Sequence, residues 1–105
     1  MPIPLKIREE LAEDPRMEVC MLKGHGECGG ELQWHHAWTY KNRQIQESFA
    51  IGGLCENHHH EVDRRQCQGI LLARLSDEYI MQIQKKYPKI DWAKEKKLLE
   101  NQFNN

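Results

Sequence analysis

The chain lacks any long hydrophobic run. No apolar stretch approaches the ~20 residues that a membrane-crossing helix needs, and the mean hydropathy is -0.82. The opening segment, MPIPLKIREEL, has no apolar centre of the kind that marks a secretory signal. The expectation is a cytoplasmic protein of a bacterial cell, with no membrane partner, where structural disulfides are disfavoured. Charge of one sign is lacking too. The net charge is -1, so composition does not announce a partner for polyanions. Internal repeats and low-complexity segments are absent. What remains is 105 residues, 30% of them charged, enough for one modest core and read as a single domain over 1–105.

The charge is unevenly spread. Residues 1–34 hold four Lys/Arg against seven Asp/Glu, whereas residues 64–97 hold nine against four, a local excess of +5. A solvated helix face and a phosphate-binding surface both fit such a run. Apolar positions at 5, 7 and 11 predict a short helix over residues 5–13, stopped by Asp14-Pro15. MEVCML reads as a short strand and KGHGECGG as a tight glycine-rich turn. ELQWHHAW alternates, with Leu32, Trp34 and His36 on one face and Gln33 and His35 on the other, which predicts a strand. Residues 40–48 carry no period and read as a loop. FAIGGLC is a short apolar segment. ENHHHEVDRRQCQ has no breaker before Gly69 and predicts one helix of about three turns. ILLARL fits strand or helix. Ser76 and Asp91 are start signals for two further helices, the first with Tyr79, Ile80, Ile83 and Tyr87 as its stripe, the second with Trp92, Leu98 and Leu99. The last four residues, QFNN, are expected to fray.

Four cysteines and six histidines in so short a chain are the unusual feature. In a reducing compartment they point to metal chemistry before disulfides. Cys20 and Cys28 flank a loop with Gly24 and Gly26, and Gly29 follows; such a loop can fold back so that both sulfurs face one point. Cys55-x2-His58 has the spacing of a zinc knuckle. Together they form a Cys3His set suited to a closed, structural Zn2+ site that would staple a small core. The plainer alternative is that Cys20 and Cys28 are ordinary buried thiols. Cys67 reads as a core thiol and His25 as a solvent-exposed loop residue.

A second constellation stands beside the first. On a continuous helix His59 points about 100° away from His58, and Asp63 lies one turn further along the same face. That imidazole and carboxylate can chelate a divalent ion, with His35 from the strand completing an open three-ligand site.

His35-His36, a gap of just over twenty residues, then L-C-x2-H-H-x3-D resembles the HNH (His-Me finger, ββα-metal) endonuclease motif over roughly Cys20 to Arg65. C-x7-C followed by C-x2-H-H-x-E-V-D-R-R looks closer still to small prophage-encoded nucleases, in which cysteine usually stands at the place of His58. The resemblance implies an α+β fold with a ββα-metal core over about 17–68 and a helical extension over about 69–102. It implies a DNA endonuclease in which His35, His59 and Asp63 hold one Mg2+ or Mn2+ and His36 is the general base. Histidine is the side chain whose pKa suits that role near neutral pH. Chain and pattern part at one point: the motif's middle asparagine, which braces the loop carrying the base, falls at Ala50, and Gln44, Gln46 or Asn42 are the available substitutes.

Lys41, Arg43, Arg64 and Arg65 are the candidate DNA contacts, with solvated loop charge or an ion pair to Glu61 as the plainer readings. Trp34 and Trp38 read as core, and His60 as solvent-facing. The competing function is a catalytically degenerate, zinc-stabilised module that binds nucleic acid or protein. It has no use for His35, His36, His59 and Asp63 together. Monomer and homodimer both fit the apolar stripes of the C-terminal helices.

Overall fold

The computed structural model describes residues 3–24, 26–60 and 62–103. It is an α+β protein with two small antiparallel sheets and five helices among those residues. α1 (Leu5–Glu13) is followed by a 3-10 turn over Pro15–Glu18. The first sheet pairs β1 (Leu32–His36) with β4 (Ile51–Cys55), in the register Leu32↔Cys55 through His36↔Ile51. Between them lies a hairpin of β2 (Thr39–Tyr40) and β3 (Arg43–Gln44). α2 (Glu56–His60) leaves β4 directly and packs on the β1–β4 sheet. α3 (Arg64–Ala73), α4 (Asp77–Lys86) and α5 (Trp92–Phe103) complete the chain.

β4 is buried along its whole length and explains the placement of the N-terminal segment. Met21 N–H donates to the Gly53 carbonyl at 2.8 Å. A Cβ at Gly53 would meet the Met17 carbonyl oxygen at 3.2 Å, so glycine lets the two backbones approach. This contact replaces the strand expected over MEVCML: the segment is a 3-10 turn and then a further turn, laid against β4.

The main core runs from Cys20 to Leu99, with Trp38, Phe49, Leu54, Leu72 and Trp92 among its members. Trp38, Phe49 and Trp92 meet edge to face or tilted, at centroid distances of 5.4–6.0 Å. Trp34 packs against a smaller cluster of Leu11, Met17 and Ile51. Trp38 is thus core, as expected, and Trp34 is a partly buried flank of the smaller cluster. Cys67 is fully buried, and desolvation first, then the nearby Asp63 charge, pushes its thiol up to about 12. It is an inert core thiol.

Two helix starts are as expected. Ser76 Oγ accepts from Tyr79 N–H at 3.1 Å, and Asp91 Oδ1 accepts from Lys94 N–H at 3.2 Å. Trp92 and Leu99 are buried on α5, while Leu98 is exposed. Gln102 and Phe103 belong to α5; Asn104 and Asn105 lie outside the described residues.

Three further expectations fail. The single helix over 56–68 is two helices, α2 ending at His60 and α3 starting at Arg64. Asp63 is the cap between them, its Oδ1 accepting from Gln66 N–H at 3.1 Å. An aspartate that can satisfy an orphan backbone N–H favours a new helix start over the interior of an old one. Gly69 does not end the helix but lies inside α3, which absorbs the ambiguous apolar run. Residues 40–48 are not a plain loop, since β2 and β3 form a hairpin there.

Candidate metal centre

Cys20, Cys28, Cys55 and His58 converge. Their ligating atoms all lie within 4.8 Å of one another. His58 Nδ1 is 3.3 Å from Cys20 Sγ, 3.6 Å from Cys28 Sγ and 3.2 Å from Cys55 Sγ. A tetrahedral zinc with bonds of about 2.3 Å to sulfur and 2.0–2.1 Å to nitrogen would separate S and N by roughly 3.5 Å. The cluster can therefore hold a metal such as zinc.

The sequence builds it locally. Gly24 and Gly26 turn the Cys20–Cys28 loop back with φ of +94° and +119°. Asn57 N–H donates to the Gly29 carbonyl at 3.1 Å, tying that loop to α2. Desolvation works against ionisation of Cys55, yet the backbone N–H groups of His58 and Gly29, the His58 ring and Cys20 together bring its thiol down to about 6. A thiolate is thus on hand near neutral pH, as metal binding requires. His25 lies outside the described residues.

The neighbouring histidines face elsewhere. His59, half-buried, donates from Nδ1 to Gln33 Oε1 at 2.6 Å. The bond leaves the Nε2 edge of the ring turned away from Gln33. The ring stands edge-on to His35, with centroids 5.4 Å apart and planes at 71°. Gln33, His35 and His59 therefore share one side of the sheet, as the alternation along β1 predicted. His35 is only 5% exposed, and its Nε2 is buried with no hydrogen-bond partner among the described residues. Burial above all, then the charges of His59, Arg64 and His36, lowers its pKa to about 4. The ring is neutral at pH 7.

His36 lies next in β1 and is half-buried. Its Nε2 donates to Gln46 Oε1 at 2.9 Å. Of the three amides offered as substitutes for the motif asparagine, Gln46 reaches the ring. Ala50, where the resemblance would put an asparagine, contributes through its backbone: its carbonyl accepts from Ala37 N–H at 2.9 Å and holds the loop after His36.

Asp63 is the residue not brought in. It is exposed and caps α3. The helix-face relation expected between it and His59 does not exist, because the helix breaks between them. Among the described residues, the sulfur-rich cluster is the one place where three ligating groups lie within 4.8 Å of one another.

Of the basic candidates, Arg64 sits close enough to His35 to influence its protonation. Arg65 is engaged elsewhere. It bonds Gln68 Oε1 and Glu95 Oε2, both at 2.8 Å, and so ties α3 to α5. Gln68 in turn donates to the Ala37 carbonyl at 2.7 Å. Lys41 and Arg43 lie exposed on the hairpin, and His60 is exposed on α2. The signal missed in the sequence was Lys41-Asn42, whose φ angles of 51° and 65° make the hairpin turn; asparagine tolerates that region better than most residues.

Compared with protein-family models, curated proteins and solved structures, the chain matches none. No helix among the described residues is long and apolar enough to cross a membrane.

Proposed function

We propose that this chain is an HNH-type, metal-dependent DNA endonuclease, with β1, β4 and α2 as its ββα-metal unit, a structural zinc at the Cys3His cluster and a catalytic centre at His35 and His59. The observation that carries the reading is the buried Nε2 of His35, without a hydrogen-bond partner among the described residues, on a ring that stands edge-on to His59. A buried polar atom without a partner is destabilising by roughly 1–3 kcal/mol. A neutral imidazole kept that way has the electronic form of a metal ligand.

The residues present fit such a group in part. His35 is neutral, and the Gln33 bond orients the His59 ring, the outer-shell arrangement common to histidine ligands. A divalent ion there would neutralise charge developing on the phosphorane and on the leaving 3′-oxygen. His36 is the general base. Gln46 fixes the proton on its Nε2, so Nδ1 carries the lone pair that accepts a proton from the attacking water. Arg64, Lys41 and Arg43 supply positive charge toward the DNA backbone.

A second reading has one observation in its favour. Asp63 is committed to the α3 cap, which leaves the open centre with two imidazoles. A zinc-stabilised binding module without catalysis would tolerate that.

The deciding experiment incubates purified protein with supercoiled plasmid in Mg2+, Mn2+ or EDTA, alongside His36→Ala. The expected result is ion-dependent cutting that falls by about 10²- to 10⁴-fold in the variant. Plasmid equally intact with both proteins in every metal supports the non-catalytic module. Equal cutting by both removes His36 from its role.

A further inference from the structure

Beside His36 lies an open cavity of about 400 Å3, lined by Asn42, Arg43, Gln44 and Gln46. Its volume falls within the ~300–1,000 Å3 of small-ligand pockets. Its lining side chains, unlike most of theirs, all end in polar groups. These four side chains, three carboxamides and a guanidinium, end in planar groups that carry hydrogen-bond donors and acceptors above aliphatic stems.

The pocket is held firmly. On one side, the Lys41-Asn42 turn fixes the hairpin, with Thr39↔Gln44 and Tyr40↔Arg43 paired. On the other, Ile45 is buried and its N–H donates to the Trp38 carbonyl at 3.1 Å. Glu47 is anchored to the C-terminal helices: it accepts from the Tyr87 hydroxyl, and Lys86 Nζ lies 3.3 Å from its Oε1. Arg43 has no ion-pair partner among the described residues. Gln46 belongs to both structures, lining the pocket and bonding His36 at 2.9 Å. An occupant therefore sits next to the phosphate that His36 would address.

Carboxamides match the N6 and N7 of adenine, and a guanidinium matches the O6 and N7 of guanine. Both pairings share N7, which pyrimidines lack. Resting on the nuclease reading above, we infer that this pocket takes a purine base flanking the cut phosphate and reads its N7 edge. The protein would then cut with a purine preference at one position beside the break.

The test cuts a duplex library randomised around one region and sequences the ends, comparing wild type with Asn42→Gly/Gln44→Ala. Glycine keeps the left-handed turn that alanine would strain. The expected result is a purine enrichment of roughly 5- to 100-fold at one flanking position, flattened in the double variant whatever its overall rate. Cutting without that enrichment, or with enrichment unchanged in the variant, overturns the pocket and leaves the nuclease standing. If nothing is cut in any metal, the nuclease reading falls and binding decides. Fluorescence anisotropy then compares purine duplexes with their 7-deazapurine counterparts. Weaker binding to the deaza duplex, lost in the variant, supports purine reading. Equal affinity, or no binding, overturns it.

Discussion

His58 and His59 are consecutive residues of one short helix, yet they face centres of opposite character. His58 turns to three sulfurs, and its Nδ1 stands 3.2–3.6 Å from each, about the separation a tetrahedral zinc would impose between nitrogen and sulfur. His59 turns to His35, where a buried nitrogen has no partner among the described residues and the third expected ligand caps a helix. The first arrangement completes itself and reads as architecture. The second brings together two imidazoles only, with Gln33 bonded to His59 and Gln46 to the adjacent His36. Proteins retain unsatisfied, buried polar atoms where function needs them.

This contrast can be broken most forcefully at the sulfur end. Cys20→Ser should abolish retention of about one zinc per chain after dialysis and eliminate the cooperative thermal transition, because zinc binding in small domains is folding free energy. A variant that melts as the wild type does would make the cluster an ordinary set of thiols. The imidazole end should respond in the opposite way. His35→Leu should cut ion-dependent cleavage by more than about a hundredfold, with no fall in melting temperature in chelator-treated protein, since an apolar side chain replaces an unpartnered polar one. A melting temperature several degrees lower would show His35 to be structural.

The same pair of proteins sharpens the comparison by pH. The folded-state pKa of His35 is lowered from 6.5 to about 4, so the unfolded chain binds more protons within that window. Stability attributable to a neutral His35 is present above pH 6.5 and is lost as pH falls toward 4. Wild type should lose up to about 3 kcal/mol relative to His35→Leu across that range. Both carry the sulfur cluster, so its own acid sensitivity cancels in the difference. A constant difference between their denaturation midpoints would contradict the burial argument.

Smaller effects separate support from structure. Gln46→Ala should reduce cleavage by roughly ten- to a hundredfold at unchanged zinc content, with partial recovery in Gln46→Asn. Smallest of all is Arg65→Ala, which loses a surface ion pair with Glu95, about 0–1 kcal/mol. It should leave DNA affinity as it was, whereas Arg64→Ala should weaken binding and flatten its salt dependence.

Much of this was legible in the sequence, for identifiable reasons. Pairs with short spacing and strong chemistry, Cys55-x2-His58 above all, declare a metal cluster without a fold. Caps such as Ser76 and Asp91 announce helices through one side chain and one backbone N–H. Alternation along β1 put Gln33 and His35 on one face, where the structure finds them with His59. The failures are tertiary or competitive. Nothing between His58 and Cys67 breaks a helix by propensity, and Asp63 breaks it by capping the next one. The β2–β3 hairpin has no apolar period because its residues are mostly exposed, and only the turn at Lys41-Asn42 could have hinted at it. Which amide braces His36 depended on a loop geometry fixed by distant Tyr87 and Lys86, beyond any local pattern.

The most direct test of the two-centre account is diffraction from crystals grown with Mn2+, with anomalous signal collected to distinguish zinc from manganese. The account predicts zinc among Cys20, Cys28, Cys55 and His58, and manganese bonded to His35 Nε2 and His59 Nε2. Zinc at the sulfurs with no manganese at His35, and its Nε2 instead bonded to a carbonyl or an ordered water, would contradict it.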